Sequence, residues 1–162
     1  MGMMFPHTIT IYNKREQSYE RSVIRGVLYQ EEREIQYGKV NDNVAKRIEI
    51  IIPHKRVDTN FLKLMKIDVQ DPAALYTAAG ERYYAYVDTI GIYCPPNVFR
   101  SMEKSHGYWT LEKDDVIVFG ETKYEVERSA RELFDRFDAC RVEQVSIFDF
   151  GSQLDHLEVT CR

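Results

Sequence analysis

Apolar and polar positions alternate towards both ends of the chain. From His7 to Tyr12, Ile9 and Ile11 fall on one face and Thr8, Thr10 and Tyr12 on the other. A period of two built from β-branched residues predicts a half-buried strand. The polar stretch from Asn13 to Glu20 predicts a turn, and Ser22 to Tyr29 a second strand able to form a hairpin with the first. Gly26 within it marks a bulge or a close backbone approach. Glu31 to Val44 is charged and holds the turn cluster Asn41-Asp42-Asn43. Arg47 to Ile52 reads as a short apolar strand, ended by Pro53, which has no N–H to give a ladder.

The middle changes character. Asp71 to Gly80 is a compact helix signal: Asp71 can cap the free amides, Pro72 suits the first helical position, and Gly80 can take the left-handed C′ conformation. Tyr83 to Thr89 alternates again as a strand. Cys94-Pro95-Pro96 breaks regular structure, and Asn97 to Lys104 predicts one or two helical turns behind an Asn cap.

In the last third, Tyr108 to Leu111 and Val116 to Phe119 predict two strands around the charged turn Glu112-Lys113-Asp114-Asp115. Glu127 to Phe137 has a helical charge pattern, with Leu133, Phe134 and Phe137 as its buried stripe. Ala139 to Phe148 is a strand, Asp149 to Ser152 a turn, and His156 to Cys161 a strand with Leu157, Val159 and Cys161 on one face. Many short strands joined by polar turns define the expected class as mainly β. The architecture is an antiparallel barrel or sandwich, with two or three short helices in the middle and C-terminal third.

Composition narrows the function. At 162 residues the chain fits one domain, residues 1–162, large enough to bury a core without staples. A formal charge of −4 disfavours general nucleic-acid binding, which needs surplus cations to displace counterions from phosphate. Three widely spaced cysteines, Cys94, Cys140 and Cys161, form neither a zinc knuckle nor a CxxC pair and suit a reducing compartment. No stretch approaches the ~20 apolar residues of a membrane-spanning helix, so no membrane partner is expected.

No motif carries chemistry. His7, His54, His106 and His156 show no i, i+4 pair and no HExxH, so they read as packing or surface residues. Cys140 sits in a strand-like pattern and reads as a small core hydrophobe. Ser101, Ser105 and Ser129 lack a nucleophile elbow. Glu31, Glu32 and Glu34, like Asp114 and Asp115, read as solvated turns. Asp114, Asp115 and His106 would be the cluster to suspect in an enzyme, since a turn at Gly107 could gather them. The expectation is no enzyme activity, no metal and no cofactor.

Two features point to contacts. Eleven tyrosines occur, with Tyr76, Tyr83, Tyr84, Tyr86 and Tyr93 concentrated in the middle; tyrosine buries area yet keeps a polar handle, which suits an interface. Arg128, Arg131 and Arg136 recur near helical spacing and form a candidate basic contact patch, with Arg141 following. The competing reading pairs them with Glu127, Glu132, Asp135 and Asp138 on a solvated face.

The opening Phe5 to Lys14 and the segment Arg21 to Val27 resemble the start of an uncharacterised family of small proteins. These are encoded among the capsid and head–tail joining genes of phages and prophages of Gram-positive bacteria. Gly107 to Leu111 with Asp115 to Gly120 resembles that family's middle strand pair, and Leu154 to Val159 its closing strand. Residues 54–94 depart from the pattern and read as an inserted segment. The resemblance implies a virion-assembly protein, structural and near the head–tail connector, acting by self-association and docking. It would reside in the bacterial cytoplasm during assembly, or in the virion, with phage structural proteins or its own copies as partners. The alternative is a free bacterial binding or regulatory module without catalytic activity.

Overall fold

The computed structural model describes residues 5–16, 18–36, 43–53, 55–56, 84–85, 92–93, 95–101, 108–148 and 155–162. Strands β1 (His7–Arg15), β2 (Ser18–Gln36) and β3 (Asn43–Pro53) form one antiparallel meander. Strands β8 (Val116–Phe119), β9 (Ala139–Phe148) and β10 (His156–Cys161) form a second. β1 pairs with β8 and β3 with β10, both antiparallel, which closes a six-stranded barrel. The two meanders are thus related topologically by a two-fold axis across the barrel. Between them, β4 (Lys55–Arg56), β5 (Tyr84–Ala85), β6 (Ile92–Tyr93) and β7 (Tyr108–Trp109) make a small second sheet. Helices α1 (Pro96–Ser101) and α2 (Arg131–Arg136) are both short.

The alternation read from sequence sets which residues fill the barrel. Ile9, Ile11, Ile24, Val27, Ile48, Ile50, Ile52, Ile117, Val142, Leu157 and Val159 are all buried in one cluster. Gly26 is the bulge: the register skips from Thr8↔Arg25 to His7↔Val27, and its φ of 79° is cheap only without a Cβ. Tyr93, Trp109 and Leu111 join the core, with Tyr93 edge-on to Trp109 at 5.0 Å. At the opposite end of β1, Phe119 packs on His7 and Tyr29, with centroids at 5.6 and 4.6 Å. The His7 Nδ1 accepts the Tyr29 N–H at 3.0 Å.

The outer wall of β1 and β8 is covered as well. Tyr12, Val116 and Val118 pack under Tyr124, Val126, Leu133 and Phe137 from the β8–β9 connection. The Tyr12 hydroxyl donates to the Tyr124 carbonyl and the Thr10 hydroxyl to the Gly120 carbonyl, each at 2.7 Å. Here the expected helix from Glu127 to Phe137 shrinks to α2. Glu132 explains why: its carboxylate accepts the Arg128 and Ser129 N–H groups at 2.8 Å and the Tyr124 hydroxyl at 2.9 Å. Residues 127–129 are therefore tied into a turn instead of a helical first turn. Of the expected stripe, Leu133 is buried and Phe137 half-buried, but Phe134 is exposed.

The long polar run between the apolar parts of β2 and β3 is not a loop at its ends. β2 and β3 stay paired through Gln36↔Asn43, whereas β1 leaves β2 at Val27 and β10 leaves β3 at Ile48. The five pairs from Glu32↔Arg47 to Gln36↔Asn43 thus have no third strand among the described residues. At about 3.4 Å per residue this two-stranded arm extends roughly 17 Å past the barrel.

Candidate functional site

The charged turn between β7 and β8 was the place to look for chemistry. Asp114 is exposed and takes a left-handed φ of 75°, a conformation Asp tolerates in tight turns. Asp115 is buried and points the other way. Its Oδ2 accepts Asn13 Nδ2–H at 2.8 Å and the Glu112 N–H at 2.9 Å. Asn13 Nδ2 also donates to the Thr110 carbonyl at 2.9 Å, so both neighbours of that nitrogen are acceptors and the amide orientation is settled. Burial pushes the Asp115 carboxyl up to about 6, against the hydrogen bonds that favour its charged form. The two carboxylates are therefore split between solvent and core. Asp115 bolts the turn to β1, a structural task, and His106 lies outside the described residues.

The cysteines that the sequence keeps apart come together. Cys140 on β9 and Cys161 on β10 are both buried in the barrel as free thiols. The neighbouring Cys140 thiol, then burial, push the Cys161 thiol far above the ordinary range. A thiol held protonated in this way is a poor nucleophile. Among the described residues no group of three His, Cys, Asp or Glu side chains is placed to hold a metal ion.

A different surface stands out on the outside of β9. Lys113, Asp114, Phe134, Arg141, Glu143 and Arg162 line an open groove of about 500 Å³. The Arg141 guanidinium lies over the Phe134 ring, 5.3 Å from its centroid, and donates to the Asp114 carbonyl at 3.3 Å. Arg162 Nε is 2.9 Å from Glu143 Oε1. Phe134 is 37 % exposed, one of few large apolar side chains on the surface. Three cations therefore meet two carboxylates around one open aromatic ring. Sequence reasoning missed this groove because its residues come from four separate segments. The signal available was Phe134, a large apolar residue two positions from the nearest cation on a short polar helix.

Tyr76, Tyr83 and Tyr86 lie outside the described residues, and only the backbone of Tyr84 is described, in β5. Tyr93 is core, 3 % exposed, so its ring is not a contact surface. The segment read as inserted, 54–94, thus ends inside the core. Arg128, Arg131 and Arg136 are all exposed, each with its own contacts. Arg131 reaches towards Asp135 at 4.0 Å, as the solvated-face reading has it. Arg136 covers the Tyr124 ring at 4.9 Å. Arg128 is exposed, and its backbone N–H is held by Glu132.

These features define a small closed β-barrel protein with a filled interior, an external groove of mixed charge and a projecting two-stranded arm. The chain belongs to a family of unknown function (DUF6751), whose model matches residues 4–79 and 75–162. Neither a curated protein nor a solved structure matches it.

Proposed function

We propose that the protein is a non-catalytic assembly component that works by self-association and docking, in a phage or prophage particle. The observation that carries this reading is the arm. A two-stranded ribbon is marginal alone in water, and among the described residues no strand pairs with the outer edges of this one. An arm of this kind costs order in a free monomer and is used when a partner covers it. The resemblance at both ends of the chain to proteins encoded among head–tail joining genes supplies the particle context. The filled barrel and the structural duty of Asp115 agree with a role in contacts.

The test uses the full chain and a variant in which residues 33–46 are replaced by Asn-Gly, a two-residue hairpin turn. Light scattering coupled to size exclusion gives the mass of each across a wide concentration range. Concentration-dependent association that disappears in the shortened, still cooperatively folding variant supports the reading. Proteomics of purified particles gives the second arm of the test. A monomer that is absent from particles and captures one host protein would instead favour the free binding module.

A further inference from the structure

The geometry points to Cys140 and Cys161 as a two-coordinate site for a soft monovalent cation, Cu(I), inside the barrel. The inference is independent of the self-association reading. Both thiols are free, fully buried and part of one core cluster. Cys161 pairs with Val142 across the β9–β10 ladder, and Cys140 lies two residues from Val142, buried on the same face of β9. The cysteines are thus diagonal neighbours, which stand about 7–8 Å apart in an antiparallel pair. A disulfide needs Cα atoms within about 6.8 Å, so a direct bond requires the backbone to move. A cation between the sulfurs does not, because two metal–sulfur bonds of about 2.3 Å span roughly 4.6 Å. The two thiols are in hydrogen-bond contact, and the cation takes the place of the proton between them.

Thiolate sulfur is a soft ligand and selects Cu(I) over hard cations. On binding, two S–H bonds break and two Cu–S bonds form. Both protons go to solvent, and the copper keeps its oxidation state. The product carries one negative charge in the core and needs a donor there. Tyr29 supplies it. Its ring packs against the same cluster, and its hydroxyl is buried with no hydrogen-bond partner among the described residues. Both cysteines act electrostatically on that hydroxyl, which places it beside them. Neutral thiols are weak acceptors, whereas a thiolate gives the hydroxyl the charge-assisted bond it lacks. The closed core admits the cation while the chain folds.

The test uses the full chain with Cys94→Ser to remove the third thiol, refolded from urea without oxygen in one equivalent of Cu(I). Native mass spectrometry should show one copper per chain, retained against bicinchoninate. X-ray absorption should show two sulfur neighbours and neither nitrogen nor oxygen. Cys161→Ala in the same background should lose the copper. Tyr29→Phe should weaken retention by about tenfold, as loss of an outer partner does at metal sites. Its metal-free thermal midpoint should stay level or rise, because an unpaired buried hydroxyl is removed. No retention in the parent would overturn the site, and so would copper that survives Cys161→Ala or a nitrogen or oxygen ligand. A parent chain lighter by two hydrogens, joined from Cys140 to Cys161, would overturn it in favour of a disulfide. Unchanged retention in Tyr29→Phe would overturn the part given to the hydroxyl.

Discussion

Burying a carboxylate at Asp115 makes the stability of this barrel depend on pH in a direction opposite to most acidic side chains. The ordinary value of 3.8 is raised to about 6 in the fold, so the folded state holds its proton more tightly than the unfolded chain. The resulting stabilisation is fully present below about 3.8 and is lost as pH rises through about 6. Two units at 1.36 kcal/mol each amount to about 3 kcal/mol between those limits. Asp115→Asn removes the titration. The amide offers one acceptor oxygen to the three donors of Asn13, Glu112 and Lys14, which costs about 1 kcal/mol at every pH. The variant should therefore be the less stable protein at pH 4 and equal or better at pH 8. Urea denaturation of both proteins from pH 4 to 8 reads this directly, and their difference cancels the titration of every other group. Parallel curves, with no relative change across the range, would show that the Asp115 charge is not penalised by burial and would refute the reasoning.

Other consequences of the structure are checked as simply. Tyr93→Ala should cost about 3 kcal/mol in urea denaturation, because its ring packs on Trp109 inside the barrel; a loss within error would return the end of segment 54–94 to the surface. Glu132 is held down to about 2 by the N–H groups of Arg128 and Ser129, so its contribution is present above the ordinary 4.5 and lost as pH falls through about 2. Glu132→Gln should accordingly speed hydrogen exchange at those two amides near neutral pH, as measured by NMR, and unchanged rates would contradict that capping role. Cys140 and Cys161 should resist maleimide in the native protein at pH 8 and react once it is unfolded, and mass spectrometry of labelled peptides would expose native labelling at either.

Much of the barrel was legible in the alternation of apolar residues. β8, β9 and β10 begin and end where the pattern places them, and Gly26 is the bulge its lack of a side chain suggests. The arm was not legible. Glu31 to Gln36 has no apolar face, because a ribbon without a core beneath it has nothing to bury, and so it reads as a loop. The helix before β9 was overread: the charge spacing from Glu127 was helical, but Glu132 uses its carboxylate on the preceding amides. The groove and the thiol pair could not be seen because they depend on the pairing of β8, β9 and β10, which brings Lys113, Arg141 and Arg162 together, and Cys140 beside Cys161, from separate segments of the second meander. Tyrosine count was a misleading guide at Tyr93, since the same ring that suits an interface suits a core.

The way the barrel closes also dictates when it can fold. Thr10 and Gly120, bonded across the β1–β8 seam, are 110 residues apart in the chain, and the second seam needs β10. During synthesis the first meander therefore leaves the ribosome with Ile48, Ile50 and Ile52 uncovered and both seam edges open. The β1 edge waits until β8 has emerged, and the β3 edge until translation has passed Cys161, at about 5–20 residues per second. For those seconds the nascent chain presents a β-branched strand to any neighbour on the same message. Expression at low temperature or with a holding chaperone should raise the yield of this protein more than any change to its finished surface.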